Sequence, residues 1–245
     1  MPEPIHLQPT APLAERVLLP GDPGRALRMA QSLLSEPKMF NHNRGLWGYT
    51  GEALADGAPL TIQSTGMGGP SAAIVISELI DMGADRLLRV GTCGALRDGL
   101  ALGDLVIVTE AIVADGTSRA LGAGERVPAT RELLGAVTAA ADLPSPDRAH
   151  AVHTGPIVTT DLFYDGRELE RSWSAAGALA VEMEAATLFA LAGARGAAAA
   201  ALLVVSDIVL PDRSRIGQEE LRAAERRMGE AALRALIDQG AVAQP

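Results

Sequence analysis

The feature that most constrains this chain is a single arginine inside an apolar run, Leu87-Leu88-Arg89-Val90-Gly91-Thr92-Cys93-Gly94-Ala95. Asp85-Arg86 precedes the run, whose composition predicts a buried strand that Gly91 ends in a turn. Desolvating the Arg89 guanidinium costs several kcal/mol unless an anion or a carboxylate meets it. We therefore expect either a bound anion or an internal Asp or Glu beside it. The glycine turn and the Thr92 hydroxyl can present donors there, where open α/β sheets bind ligands.

Length and composition favour one α/β domain. The chain has 245 residues, 48% of them apolar, and we expect a single domain over residues 1–245. No apolar run approaches the ~18 residues of a membrane span, and we expect no secretory signal. Cys93 is the only cysteine, which excludes an internal disulfide and fits a cytoplasmic location. The net charge of −9 argues against nucleic acid or an anionic membrane as the main partner.

Glycine turns join predicted strands to predicted helices at two places. Gly21-Asp22-Pro23-Gly24-Arg25 follows the strand Arg16 to Pro20 and begins a helix to Leu34. Thr65-Gly66-Met67-Gly68-Gly69-Pro70-Ser71 follows an antiparallel pair, 41–51 and 60–64, and leads into the helix Ala72 to Met82. A glycine turn with an arginine in the first helical turn can bind phosphate through backbone N–H groups and the bidentate guanidinium group. Further strands are predicted at 103–109, 151–158 and 201–207, with helices at 131–141 and 218–239.

Several polar and aromatic residues are candidates for ligand binding. Glu182 and Glu184 stand where a strand gives way to a helix, so they can hold sugar hydroxyls, or Glu184 can favour the helix N-terminus. Asp207 closes the last apolar strand and is a candidate proton donor or a loop cap. Phe163 and Tyr164 can offer the flat face that a base or sugar needs, although core packing explains Tyr164 slightly better.

These motifs, taken together and in order, resemble the bacterial hexameric purine nucleoside phosphorylases. That family belongs to the wider group of nucleoside phosphorylases and nucleosidases. The resemblance spans His6 to the C-terminal helix and is carried by Gly21-Asp22-Pro23-Gly24-Arg25, Arg44-Gly45, Gly66-Met67-Gly68, Arg89-Val90-Gly91-Thr92-Cys93-Gly94, Asp161-Leu162-Phe163-Tyr164, Val181-Glu182-Met183-Glu184 and Ser206-Asp207. It implies a three-layer α/β/α fold around a twisted mixed central sheet. It also implies a cleft completed by a neighbouring subunit.

The resemblance assigns roles position by position. Phosphate would be bound by Gly21, Arg25, Arg89 and Thr92, with Arg44 from the neighbour. The ribose would contact Met67, Met183 and Glu184, with His6 from the same neighbour. The base would contact Cys93, Gly94, Phe163, Val181, Glu182 and Ser206, while Asp207 faces the purine N7. In the family an arginine assists that aspartate; the Ala223-Ala224-Glu225-Arg226 pattern aligns Arg226 with it, across a loop from Ile208 to Gln218 that is longer than usual.

The implied reaction is phosphorolysis of purine (deoxy)ribonucleosides to free purine and (deoxy)ribose 1-phosphate, in purine salvage. Such cleavage passes through an oxocarbenium-like sugar, so it needs an anionic nucleophile at C1′ and a proton for the departing base. Inorganic phosphate is then a co-substrate, and neither a metal nor an organic cofactor is expected. Homodimers arranged as a trimer of dimers are the implied assembly.

Three other functions remain open at this point. Uridine phosphorylases usually carry Gln-x-Arg after Phe-Tyr, whereas this chain has Asp165-Gly166-Arg167-Glu168-Leu169, although its Ser64 to Ser71 stretch resembles that branch equally well. Nucleosidases of the same fold use water and generally lack the arginine cluster formed here by Arg25, Arg44 and Arg89. A catalytically silent nucleoside-binding protein would be expected to lack Arg89 or Asp207, and both are present.

Overall fold

A computed structural model describes residues 4–141, 150–164 and 167–237 of the chain. The strands are β1 Arg16–Leu19, β2 Leu34–Asn41, β3 Gly48–Ala53, β4 Pro59–Gln63, β5 Arg86–Ala95, β6 Leu105–Ala114, β7 Arg126–Pro128, β8 Val152–Thr160, β9 Ala180–Glu182, β10 Ala198–Ile208 and β11 Ser214–Arg215. The α-helices are α1 Pro23–Leu33, α2 Gly69–Asp81, α3 Gly116–Ala120, α4 Arg131–Ala141, α5 Glu170–Ala175, α6 Ala185–Arg195 and α7 Gln218–Leu236. A short 3-10 helix, Asn43–Gly45, lies between β2 and β3.

The strands form one mixed sheet of 11 strands in the order β11-β10-β6-β8-β9-β5-β1-β4-β3-β2, with β7 paired to β6. β10 pairs with both β5 and β6, so β5, β9, β8, β6 and β10 close into a ring. β1, β4, β5 and β10 run in the same direction. Their carboxyl ends therefore meet at one edge, where ligands bind in open α/β sheets.

Two groups of helices cover the sheet. α1, α4 and α7 pack against one another, while α2, α3 and α6 form the second group, and both groups contact the central strands. The buried faces of these helices and strands join in one large apolar cluster, in which β5 and β10 contribute residues with no exposed surface, such as Leu87, Leu88 and Leu202. These observations confirm the predicted α/β class with a mixed central sheet. None of the helices in the described ranges has both the length and the apolar character to span a membrane.

The prediction that Gly91 ends the Arg89 strand in a turn is wrong. β5 continues to Ala95, and Gly91 pairs with Leu203 because β10 runs beside β5 over its whole length. A Cβ placed on Gly91 would lie 2.8 Å from both Cζ and Nη2 of Arg89. Glycine is therefore needed here to leave room for the guanidinium, and the strand remains extended.

Glu78 of α2 fixes the N-terminal arm to its own chain. Its carboxylate accepts the backbone N–H groups of Ile5 at 3.0 Å, His6 at 3.0 Å and Leu7 at 2.7 Å, and His6 Nδ1 lies 2.8 Å from it. Leu7 is fully buried. Burial raises the pKa of Glu78, but the donors from Leu7 and His6 outweigh it, and the pKa is lowered overall. The arm thus packs within the protomer, which the sequence did not indicate.

Replacing Glu78 with glutamine should loosen this arm. A hydrogen bond to a charged acceptor contributes about 1.5–3 kcal/mol, so exchange of the Ile5 to Leu7 amide protons should accelerate roughly tenfold or more. Hydrogen exchange measures this directly, and Glu52→Gln, at an exposed position of β3, is the control. The lowered pKa means that the carboxylate stabilises the fold above its unfolded pKa of about 4.3 and stops doing so as the pH falls further. The two proteins should therefore converge in acid, and equal exchange at neutral pH would contradict the proposed anchoring.

Candidate active site

A cavity of about 160 Å³ opens at the carboxyl ends of β5 and β10. Residues predicted to bind the substrate make up much of its lining: Thr92, Cys93, Gly94, Phe163, Val181, Glu182, Met183, Ser206 and Asp207. The rest of the lining was not predicted and comprises Thr160, Leu162, Glu170, Trp173, Val209, Arg213 and Arg215. The apolar members offer faces for a flat ring, while the polar members can orient it.

Arg89 lies beside this cavity and is held by two carboxylates. Arg89 is only 4% exposed. Its Nε donates to Glu182 Oε2 at 2.8 Å, and its Nη2 lies 2.5 Å from Glu184 Oε2. Nη1 is buried and has no hydrogen-bond partner among the described residues. Burial lowers the pKa of Arg89, but Glu184 and Glu182 raise it by more, so the guanidinium stays charged. Internal carboxylates therefore neutralise Arg89, and one donor still lacks an acceptor.

Glu182 acts as the anchor of this arrangement. Its Oε1 accepts the Thr159 hydroxyl at 2.5 Å, and its carboxylate also accepts the N–H groups of Glu184 at 2.8 Å and Ala185 at 3.0 Å. The N-terminus of α6 favours a negative charge at this position. Because these donors and Arg89 occupy both oxygens, Glu182 is placed to orient Arg89, and it also lines the cavity in which the resemblance puts the base.

Glu184 connects Arg89 to the glycine turn before α2. Its Oε1 accepts the N–H of Gly68 at 2.5 Å, and it does not cap α6 with its side chain. Burial raises the pKa of Glu184, although the charge of Arg89 opposes this shift. Met183, next to it, lines the cavity, whereas Met67 is 85% exposed in the same glycine turn and does not. Met183 therefore reaches the cavity, while Glu184 next to it binds Arg89.

The two glycine turns lie side by side, the one from Gly21 to Arg25 that was predicted to bind phosphate and the one from Thr65 to Ser71. The Thr65 N–H donates to the Pro20 carbonyl at 2.9 Å, and a Cβ on Gly21 would lie 3.1 Å from the Gly66 carbonyl oxygen. In the β1–β5 register Leu19 is adjacent to Arg89. The turns after β1 and β4 therefore reach the same sheet edge as Arg89.

Arg25 is engaged by a residue that the sequence did not single out for this purpose. Its Nε donates to Glu225 Oε1 of α7 at 2.8 Å, and both residues are buried. Arg28 binds the other oxygen of Glu225 at 2.9 Å. Arg25 lines a second cavity of about 190 Å³ between α1 and α7, and is absent from the lining of the first.

The arginine beside Asp207 is Arg215, not Arg226. The Ser206 hydroxyl donates to Asp207 Oδ2 at 2.7 Å, and Arg215 Nε lies 3.6 Å from Asp207 Oδ1. Arg226 lies on α7 and lines the second cavity with Arg25. The physical reason is that the segment after β10 folds back as β11 and pairs Arg215 with Asp207. An alignment on the Ala-Ala-Glu-Arg pattern could not reveal this pairing.

His6 and Arg44 lie close together but outside the cavity of their own chain. The Asn43 side chain donates to the His6 carbonyl at 2.9 Å. Arg44 is exposed and adopts a left-handed backbone conformation, with φ of 56°. Neither residue lines the first cavity.

Two further side chains differ from their predicted surroundings. Tyr164 is 90% exposed, so core packing does not explain it, and its ring meets Phe163 edge to face with centroids 5.0 Å apart. Cys93 is buried, its Sγ lies 3.5 Å from the Val204 carbonyl, and burial followed by the charge of Glu182 raises the pKa of its thiol. It is therefore a protonated packing surface for a ligand.

Within the described ranges, no three His, Cys, Asp or Glu side chains converge as metal ligands would.

Comparison with known proteins places this geometry in a family. Residues 15–238 match the model of the phosphorylase superfamily. A DeoD-type purine nucleoside phosphorylase of Geobacillus kaustophilus is 36% identical over 238 residues, covering 95% of this chain and 97% of that protein. A guanosine phosphorylase of Halorubrum lacusprofundi is 42% identical over 197 residues, covering 78% and 77% respectively. The crystal structure of a uridine phosphorylase from Vibrio fischeri superposes with a TM-score of 0.78 at 28% identity, covering 91% of this chain and 90% of the other. This chain belongs to the phosphorylase superfamily.

Proposed function

We propose that this protein catalyses the phosphorolysis of purine (deoxy)ribonucleosides to free purine and (deoxy)ribose 1-phosphate, and so serves purine salvage. The observation that carries the proposal is the buried Nη1 of Arg89, which has no acceptor in the described part of the chain. An unmet charged donor beside two glycine turns calls for an anion. Phosphate supplies the oxygen acceptors that the site lacks.

The relatives favour purines over pyrimidines. Those reported by sequence are named purine nucleoside phosphorylase and guanosine phosphorylase, and they cover most of this chain. The uridine phosphorylase resembles this chain in fold at lower identity, and supports the pyrimidine alternative only weakly. Hydrolysis is disfavoured by Arg89, because its Nη1 lacks an acceptor among the described residues and suits an anionic nucleophile better than water.

The proposed mechanism divides the site into an anion part and a base part. Phosphate, bound near Gly21, Arg89 and Thr92, adds one oxygen to C1′ as the bond from C1′ to N9 breaks. The base keeps the electron pair of that bond and takes a proton at N7 from Asp207. Arg215 then stabilises the carboxylate that remains. Inorganic phosphate is the co-substrate, and the proposal requires neither a metal nor an organic cofactor.

We also place the reaction in the cytoplasm. The single cysteine is buried and its thiol stays protonated because burial raises its pKa, which suits a compartment without disulfides.

The first prediction is that base release requires inorganic phosphate. Arg89→Ala should lower turnover at least roughly tenfold, because it removes a charge-assisted anchor worth about 1.5–3 kcal/mol. Product analysis with inosine, adenosine and uridine, each with and without phosphate, gives the answer. Arg131→Ala, at an exposed position of α4, is the matched control, and circular dichroism verifies that both variants are folded. Equal rates with and without phosphate would instead indicate a nucleosidase.

The second prediction concerns protonation of the base. Adenine is the harder anion to expel, so Asp207→Asn should reduce kcat/KM for adenosine more than for inosine. Arg215→Ala should change the ratio in the same direction, and by more than Arg226→Ala does, because Arg215 is the arginine beside Asp207. Steady-state kinetics of the three variants decide between the arginines. A larger effect of Arg226→Ala would restore the alignment-based assignment, and an unchanged ratio in Asp207→Asn would remove Asp207 as the proton donor.

We further propose that two chains share each active site, as a homodimer that assembles into a trimer of dimers. Support comes from His6 and Arg44, which the resemblance assigns to a neighbour's site. They are held together through Asn43 and do not line the cavity of their own chain. A two-fold contact would make the exchange reciprocal.

A mixing experiment tests the shared site. Arg44→Ala would damage the partner's site and Arg89→Ala the chain's own, so a heterodimer of the two variants has one intact site and one doubly damaged site. A purified heterodimer should show about half of wild-type activity, and a random equimolar mixture about a quarter. Each variant mixed with itself is the control. Heterodimers as inactive as their parents would show that Arg44 acts within its own chain.

A further inference from the structure

We propose that Glu170 selects 6-oxopurine nucleosides, guanosine foremost, over adenosine. The inference rests on the proposed function, since it specifies which base the cavity holds during that reaction. Its starting point is the set of charged residues in the cavity lining other than Glu182, namely Glu170, Asp207, Arg213 and Arg215. Of these four residues, only Asp207 was predicted from the sequence.

Within the described ranges nothing bonds to the Glu170 carboxylate, so its two oxygens can accept from a ligand. Glu182 is saturated by Arg89, Thr159 and the first N–H groups of α6. Asp207 accepts the Ser206 hydroxyl and faces Arg215. Glu170 is half-buried in the lining and makes no hydrogen bond or ion pair with the residues that the structure describes. A partly desolvated carboxylate gains from a donor that a ligand brings.

The orientation of α5 keeps Glu170 turned toward the cavity. Glu170 and Trp173 lie three positions apart, on one face of this short helix, and both line the cavity. The Trp173 ring packs against a small apolar cluster formed by Leu96, Val158 and Ala178. The packing of Trp173 therefore holds the same helix face, and with it Glu170, over the base position.

Glu170 and Asp207 line the cavity from different elements. Asp207 lies near the end of β10 and pairs with Gly94 of β5, and Arg215 of the following segment lies 3.6 Å from it. Glu170 lies on α5, which follows β8 in the chain. Because the proposed reaction puts Asp207 and Arg215 at the N7 edge of the base, Glu170 is left for the other edge of the purine.

This arrangement matches one class of purine. The arginines can only donate, and Arg215 lies beside Asp207, where the proposed reaction puts N7 and the 6-substituent; Glu170, when ionised, can only accept. Guanine and hypoxanthine present two acceptors, O6 and N7, along one edge, and the N1–H donor at the other, to which guanine adds its 2-amino group. Adenine keeps the N7 acceptor but reverses the other two groups, because its 6-amino group would face Arg215 and its N1 lone pair would face Glu170. Unpaired groups of this kind are costly inside a site, so adenosine should be the poorer substrate.

Wild-type discrimination is the first measurement. We expect kcat/KM for guanosine to exceed that for adenosine by roughly 10–100-fold, the value of one charge-assisted hydrogen bond. Inosine, which keeps N1–H and lacks the 2-amino group, should fall between them. 1-Methylguanosine, which has a methyl group in place of the N1 proton, should bind at least roughly tenfold more weakly than guanosine. Equal efficiencies for guanosine and adenosine, or unchanged binding of the methylated nucleoside, would overturn the proposal.

Glu170→Gln tests the residue itself. This nearly isosteric change removes the charge, so the ratio of kcat/KM for guanosine to that for adenosine should fall by roughly tenfold, because guanosine loses more than adenosine does. Glu132→Gln is the matched control, since Glu132 also lies in the first turn of a helix but is exposed on α4, away from the cavity. A change that only disturbed α5 would lower kcat/KM for all three nucleosides by the same factor, and this result would contradict a selective role. An unaltered ratio would also contradict it.

Equilibrium binding without phosphate separates this proposal from the reaction on which it rests. Calorimetry with guanosine, inosine and adenosine reports base preference even if no nucleoside is cleaved. A guanosine preference that depends on Glu170, together with no phosphorolysis, would overturn the proposed function and leave the selectivity intact. Phosphorolysis without any preference in binding or turnover would overturn the selectivity alone.

Discussion

The buried contact of Arg89 with Glu182 and Glu184 is the interaction on which the rest of the site depends. Three charges share a region that is nearly closed to water, and ion pairs among them replace the hydration that each has lost. Removing one partner of such a network typically costs about 3–5 kcal/mol, because the remaining charge stays buried. The network therefore constrains β5, β9 and the start of α6 together, even though its net contribution to stability is modest.

The same network explains local features that would otherwise look unrelated. Gly91 lacks a side chain in an extended strand because the Arg89 guanidinium folds over it. The glycine turn before α2 approaches closely because the Gly68 N–H reaches Glu184. Thr159, the last residue but one of β8, lies beside Glu182, to which its hydroxyl donates. A ring of strands brings these parts together, since β9 bridges β8 and β5 within only three residues.

Sequence alone identified those parts of the fold whose patterns are local. β1 and α4 were predicted at the residues where they lie, because strong apolar periodicity and clear boundaries define them. β9 is the strand that was expected to give way to a helix near Glu184, whereas β11 was missed, since a strand of two residues exists only through its partner and leaves no periodic signal. The predicted end of β5 was wrong because glycine usually indicates a turn. The sequence does not show that Gly91 instead leaves room for the Arg89 side chain. Glu182 and Glu184 look equivalent in sequence, and only the fold shows that one orients Arg89 while the other also reaches the glycine turn.

The base side of the cavity is built differently from the anion side, and this difference limited prediction most. Arg89, Thr92, Glu182 and Glu184 lie on or directly beside central strands, where pairing and burial leave little freedom. The residues that were not predicted come from short elements attached to the rim, Glu170 and Trp173 from α5, and Arg213 and Arg215 from the segment before α7. Such elements can change length or composition without disturbing the buried charges, because few backbone pairs tie them to the sheet. The segment between Ile208 and Gln218 illustrates this, since its two-residue strand supplies Arg215 beside Asp207, whereas the expected Arg226 lies on α7. A fold organised in this way can keep one mechanism for breaking the bond to the sugar while its choice of base varies with the rim.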